Sequence, residues 1–69
     1  MRLSTRNQLD GTVASITLGE AMAVVKIRLG GGDLVTSSIT RDAVEDLGLA
    51  EGSAVKVLIK STEVALGVD

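Results

Sequence analysis

The stretch TRDAVEDLGLAEG, residues 40–52, decides the fold, because it predicts the one helix in a chain that otherwise has the pattern of β-strands. Thr40 is a suitable N-cap, and Asp42 lies where the positive end of a helix favours an acidic side chain. Gly48 can adopt the left-handed conformation that ends a helix, with Leu49 packing behind it. The apolar stripe of this helix consists of Ala43, Val44 and Leu47.

Three strands are predicted before this helix. In the first, over about residues 7–18, the apolar positions change parity between Val13 and Ile16, which predicts a bulge or a sharp bend. The second, over residues 21–29, alternates with a clean period of two. GGGD at residues 30–33 then supplies the turn of a hairpin, which returns the chain into LVTSSI as the third strand.

Two further strands are predicted after the helix. SAVKVLIK, residues 53–60, alternates apolar and polar positions, and VALGV, residues 64–68, is interpreted as a short fifth strand. The order is β-β-β-α-β-β, with a long bent first strand and the helix between the third and fourth strands. This order predicts an all-β fold with one short helix, a five-stranded OB-type barrel.

The composition limits how such a chain can be stabilised. It has 69 residues, enough for a single domain spanning residues 1–69, and a core of this size gives marginal stability. There is no cysteine and no histidine, which excludes disulfides and the usual zinc site of small domains. Because 45% of the residues are hydrophobic, we expect oligomerisation to bury the remaining apolar surface.

The composition also restricts partners and location. The net charge of −2 and the absence of aromatic residues argue against nucleic-acid binding, which needs a basic groove and stacking side chains. We expect no membrane association and a cytoplasmic protein, because the chain shows neither a signal-peptide pattern nor a long apolar run. An enzyme is not expected, since no catalytic histidine, thiol or carboxylate pair is present and neighbouring Lys60 and Ser61 would point to opposite faces of a strand.

Two separated polar stretches carry the functional information. STRNQLDGTV begins with Ser4-Thr5-Arg6-Asn7, and IKST contains Lys60-Ser61-Thr62 at the end of another apolar run. With the spacing between them, these motifs resemble the molbindins, the small molybdate-binding Mop proteins, and the related TOBE domains of molybdate-responsive regulators and transport ATPases. The resemblance covers nearly the whole chain, from Leu3 to about Gly67.

The resemblance implies a homo-oligomer, typically a hexamer built as a trimer of dimers, that holds molybdate or tungstate at subunit interfaces and needs no cofactor. The opening motif of one subunit and the Lys-Ser segment of another would form the site. The ligand residues implied in this chain are Ser4, Thr5, Arg6, Lys60 and Ser61. The sequence departs from many relatives at Met22, where they have Asn or Thr, so a polar contact is expected to be lost there.

The chemistry of these residues is compatible with that assignment but does not select the ion. A tetrahedral dianion offers only acceptors, so its pocket should contain hydroxyl, amide and ammonium donors, and sulfate has a similar shape. The same residues also suit a solvated terminus and the wet end of an edge strand. Thr40 is either a further ligand at the start of the helix or only its N-cap, and Ser37 and Ser38 are either ligands or solvent-facing strand residues.

Three functions remain open at this point. The first is a free-standing protein that binds molybdate or tungstate for intracellular molybdenum storage or homeostasis. The second keeps the ligand but makes the chain a molybdate-sensing regulatory module of a larger transporter or regulator. The third is a nucleic-acid-binding OB barrel, which the charge and the missing aromatic residues disfavour.

Overall fold

One antiparallel sheet carries most of the secondary structure in a computed structural model of the protein, which describes residues 1–69. The chain order is β-β-β-α-β, followed by a single 3₁₀ turn over Ser61–Glu63. The elements are β1 Asn7–Leu18, β2 Met22–Leu29, β3 Leu34–Thr40, α1 Arg41–Asp46 and β4 Ala54–Ile59. The prediction of a mostly β fold with one short helix is confirmed. No helix of the structure has the length and apolar character needed to cross a membrane.

The sheet is open, because its strand order is β3-β2-β1-β4 and the outer edges of β3 and β4 are unpaired. It curls strongly into a half-barrel. The prediction of five strands is wrong, since residues 64–69 form no strand. The chain instead closes a local turn in which the amides of Glu63 and Val64 donate to the carbonyls of Lys60 and Ser61 at 2.9 and 3.4 Å. After this turn the last segment pairs with no strand of the chain.

The predicted irregularity of β1 is confirmed as a bulge. The register with β2 shifts between Val13 and Ser15. The Val13 amide donates to the Ser53 carbonyl at 2.9 Å, and the Gly52 amide donates to the Val13 carbonyl at 2.8 Å. The bulge therefore turns this part of β1 towards the loop that precedes β4, and the strand contributes to both halves of the curled sheet.

The core is small and aliphatic. Six residues are buried, and they come from β1, β2, α1 and β4. They are Val13, Ala23, Val25, Ile27, Val44 and Val57. The Ile27 side chain packs against Gly11, where an added Cβ would lie 2.5 Å from Ile27 Cγ2.

The helix begins and ends as its sequence predicts, but its apolar stripe is narrower than predicted, because Leu47 is 68% exposed. Thr40 is the N-cap, and its Oγ1 accepts a hydrogen bond of 3.1 Å from the Ala43 amide. Gly48 ends the helix with φ of +62°, and the Leu49 amide donates to the Val44 carbonyl at 3.0 Å. Val44 is the residue that α1 buries in the core, so the helix covers one end of the curled sheet.

Candidate functional site

The two polar motifs lie at the same end of the sheet. Asn7 begins β1 and pairs with Ile59, the last residue of β4. The Asn7 Nδ2 also donates a hydrogen bond of 3.0 Å to the Ile59 carbonyl. Residues 4–6 come directly before this pair and residues 60–61 directly after it, so the antiparallel register places the two motifs of a single chain beside each other.

The opening segment presents unused hydrogen-bond donors. Residues 1–6 form no backbone–backbone hydrogen bond, so the amides of Ser4, Thr5 and Arg6 remain available. The Gln8 Nε2 donates to the Thr5 carbonyl at 3.0 Å, which ties this segment to the start of β1. Thr5 is half-buried, whereas Ser4 and Arg6 are exposed. The segment is therefore anchored at Thr5, while the side chains of Ser4 and Arg6 are exposed.

The charges at this end of the sheet are also unused. Arg6 and Lys60 have no carboxylate within 4.0 Å, because the two ion pairs of the chain lie elsewhere. The carboxylate nearest in sequence to the opening motif, that of Asp10, accepts a contact of 2.6 Å from Lys56 Nζ. Two cations are thus free to compensate a bound anion, and the nearby Asp10 carboxylate already has a cationic partner.

Lys60 and Ser61 lie where β4 changes direction. Lys60 has an extended backbone, with φ of −66° and ψ of 144°, and Ser61 begins the 3₁₀ turn. Both residues are exposed, and neither side chain forms a hydrogen bond or ion pair within the chain. The Lys60 ammonium and the Ser61 hydroxyl are consequently free to bind a ligand.

Thr40 lies far from these residues. Thr40 is the last residue of β3 and pairs with Met22. This end of the sheet is where β1 ends at Leu18, whereas the two motifs lie where β1 begins. The Thr40 hydroxyl oxygen caps α1. Met22 is half-exposed there, and its carbonyl accepts from the Gly19 amide at 2.7 Å in the turn between β1 and β2. Within one chain, the structure therefore does not bring Thr40 or Met22 to the motifs around Asn7 and Ile59.

Ser37 and Ser38 point to opposite faces of β3. Ser37 pairs with the buried Val25 and lines the apolar inside of the curled sheet. Ser38 pairs with the exposed Val24 on the outer face. Because successive side chains of a strand alternate between faces, these two hydroxyls cannot bind one ion in the same chain.

The geometry adds a role that the sequence did not assign. Asn7 belongs to the opening motif, yet only the structure shows that its side chain joins that motif to β4 through the Ile59 carbonyl. The signal available in the sequence was an amide side chain at the first residue of a predicted strand. The assembled groups are hydroxyls, amides, a guanidinium and an ammonium, a set suited to an oxyanion.

Known proteins share this arrangement of sequence and fold. Residues 3–66 match the TOBE domain. Molybdenum-pterin-binding protein 3 of Clostridium pasteurianum is 46% identical over 66 residues, which cover 96% of this chain and 97% of that protein. The structure of a molybdate-binding protein from Sporomusa ovata is similar with a TM-score of 0.92 and 37% identity, over 99% of this chain and 100% of that one.

A third comparison involves a longer protein. The cytoplasmic molybdate-binding protein ModG, in a crystal form with molybdate bound, matches with a TM-score of 0.95 and 45% identity. The match covers 100% of this chain and 49% of ModG. The fold and the donor-rich end of the sheet define a small anion-binding β-protein. The chain belongs to the TOBE-domain family, among the molbindins or Mop proteins.

Proposed function

We propose that this protein binds molybdate, or the similarly shaped tungstate, and serves intracellular molybdenum storage or homeostasis in the cytoplasm. The ligand residues in this proposal are Ser4, Thr5 and Arg6 of one copy together with Lys60 and Ser61 of another, at a subunit interface. One observation carries the proposal, namely the pairing of Asn7 with Ile59, which places both polar motifs at one end of the sheet. The names of the relatives support molybdate as the ion, and they describe binding proteins.

The donor set favours a fully deprotonated dianion. Molybdate has four oxygen acceptors and no proton to donate, so it is satisfied by hydroxyls, amides and two cations alone. Phosphate, which is partly protonated near neutral pH, needs an acceptor for its proton. Two acidic side chains lie near the motifs in sequence: that of Asp10 pairs with Lys56, and that of Glu63, in the turn after Ser61, has to point away from the ion in this proposal. Phosphate is therefore expected to bind more weakly than molybdate.

The site is completed by a homo-oligomer in this proposal, most simply a hexamer formed as a trimer of dimers. Ser4, Arg6, Lys60 and Ser61 are all exposed in the single chain. A charge-assisted hydrogen bond gains strength when water is excluded, and a neighbouring copy can exclude water and add donors of its own. A core of six buried residues also gives the single chain little stability of its own.

Native mass spectrometry with and without molybdate tests both parts of the proposal. We expect one assembly larger than a monomer, with discrete additional masses that correspond to bound molybdate. Sulfate at the same concentration is the control ion, and calorimetric titration with both ions gives their affinities. A protein that stays monomeric and gains no molybdate mass would contradict the proposal.

A further inference from the structure

The opening segment, residues 1–6, is tied to the rest of the chain by a single hydrogen bond. The segment forms no backbone–backbone hydrogen bond, and its charged side chains form no ion pair. The one hydrogen bond that reaches it runs from the Gln8 Nε2 to the Thr5 carbonyl at 3.0 Å. This bond is therefore the one directional contact that fixes the segment against β1.

The Gln8 side chain makes this bond from the outer face of the sheet. Gln8 is exposed, and it pairs with Leu58 of β4, which is 43% exposed. The next pair along the strands, Leu9 with Val57, lies on the inner face, because Val57 is buried in the core. A carbonyl oxygen only accepts hydrogen bonds, so the Gln8 amide has to present an N–H to Thr5. Removing this donor therefore breaks the tie without opening a cavity in the core.

The Thr5 carbonyl belongs to the same peptide group as the Arg6 amide. The chain has no cis peptide bond, so the carbonyl and the amide of this planar group point in opposite directions. By holding the Thr5 oxygen, Gln8 also fixes the direction of the Arg6 N–H. The Arg6 amide forms no hydrogen bond within the chain, so this fixed donor is free for a ligand.

We propose that Gln8 is a positioning residue for the oxyanion, which orients the Arg6 amide from the opposite side of the peptide group without touching the ion. This role rests on the proposed function and deepens it, because it makes the backbone amide of Arg6 one of the donors to molybdate. A donor that is already oriented loses less entropy when the ion binds. A hydrogen bond accepted by the carbonyl also polarises the peptide group and strengthens its amide as a donor.

Calorimetric titration of two variants with molybdate tests this role. Gln8→Met removes the donor and keeps a side chain of similar length. Thr12→Val is the matched control, because Thr12 is an exposed polar residue on the same strand and face as Gln8, and its side chain forms no hydrogen bond. We expect Gln8→Met to bind molybdate about two- to ten-fold more weakly than the parent protein, the range for one hydrogen bond, and Thr12→Val to bind as the parent does.

NMR of the backbone separates positioning from a general loss of stability. In the ion-free protein, we expect Gln8→Met to shift the carbonyl carbon resonance of Thr5 and to leave the melting temperature unchanged, since Gln8 is exposed. On addition of molybdate, the amide proton of Arg6 should shift in the parent protein and shift less in Gln8→Met. An Arg6 amide that responds equally in both proteins would overturn the role of Gln8. Weaker binding accompanied by a lower ion-free melting temperature would overturn it as well.

Titration of the parent protein separates this role from the proposed function. If the parent protein binds no molybdate, the proposed function fails and the role of Gln8 fails with it. If the parent protein binds molybdate and Gln8→Met binds it equally well, only the role of Gln8 is overturned.

Discussion

Asn7 and Ile59 are joined both by the sheet register and by the side chain of Asn7, whose Nδ2 donates to the Ile59 carbonyl at 3.0 Å. The second bond ties the first residue of β1 to the last residue of β4. The opening motif and the Lys60-Ser61 segment leave the sheet on either side of this pair, so their separation is set by rigid backbone. Preorganised donors lose less entropy when a ligand binds.

The first prediction concerns the charge at Lys60. In a site from which a neighbouring copy excludes water, Lys60→Ala removes a charge-assisted hydrogen bond worth roughly 1.5–3 kcal/mol, which is about a ten- to hundred-fold loss of affinity. Calorimetric titration with molybdate measures this loss. Lys26→Ala is the matched control, because Lys26 is also a lysine but donates to Thr36 Oγ1 at 2.7 Å between β2 and β3, away from the two motifs. Equal affinity of Lys60→Ala and the parent protein would place the site elsewhere.

A neutral hydrogen-bond donor should contribute less to the molybdate affinity than the Lys60 ammonium does. Ser4→Ala removes one hydroxyl, and the loss of a neutral hydrogen bond costs about 1 kcal/mol, or roughly a five-fold weaker affinity for molybdate. Ser38→Ala, on the outer face of β3, is expected to leave the affinity unchanged. The same titration ranks both variants against Lys60→Ala. A larger effect from Ser38→Ala than from Ser4→Ala would move the site to β3.

Bound molybdate should stabilise the folded assembly. In the proposed site the ion binds residues that come together only in the folded assembly, so saturating molybdate should raise the melting temperature by mass action. We expect a smaller rise for Lys60→Ala than for the parent protein. Thermal melts of both proteins with molybdate, and with sulfate as the control ion, measure the difference. A rise of equal size in the two proteins would show that Lys60 does not hold the ion.

Thr40 is predicted to act on stability and not on the ligand. Thr40→Ala removes the N-cap hydrogen bond to the Ala43 amide and should cost about 1 kcal/mol of unfolding free energy. For a domain of this size, that corresponds to a fall of about 4–8 °C in the melting temperature. Thr40→Ser keeps the hydroxyl and should therefore retain most of the melting temperature that Thr40→Ala loses. Weaker molybdate binding by Thr40→Ala, with an unchanged melting temperature, would instead make Thr40 a ligand.

Gly11 is predicted to be required for close packing of β1 and β2. An alanine Cβ at this position would lie 2.5 Å from Ile27 Cγ2 and 3.1 Å from the Arg28 carbonyl oxygen. Such overpacking costs about 1–3 kcal/mol. Denaturant unfolding of Gly11→Ala measures the loss, and Gly31→Ala, where an added Cβ meets nothing within 4 Å, is the control. Equal stability of the two variants would contradict the prediction.

The helix and the bulge illustrate what local sequence predicts well. The cap at Thr40 and the left-handed residue at Gly48 act over a few positions, so their residue types alone locate the ends of α1. The change of parity after Val13 likewise marks the bulge, because a strand must alternate its faces. The prediction of a fifth strand was wrong because strand pairing depends on residues that are distant in sequence. Alternation in VALGV predicts an extended segment but not whether an edge of the same chain pairs with it.

The sequence by itself determined the first four strands, the helix and the identity of the two polar motifs, since each depends on neighbouring residues. Only the tertiary structure decided that these motifs meet, because the pairing of Asn7 with Ile59 joins positions 52 residues apart. It also decided that Ser37 faces the apolar inside of the curled sheet and Ser38 the outside, through the register of β3 on β2. Register depends on how the whole sheet buries its apolar face, and a one-residue slip would exchange the two sides.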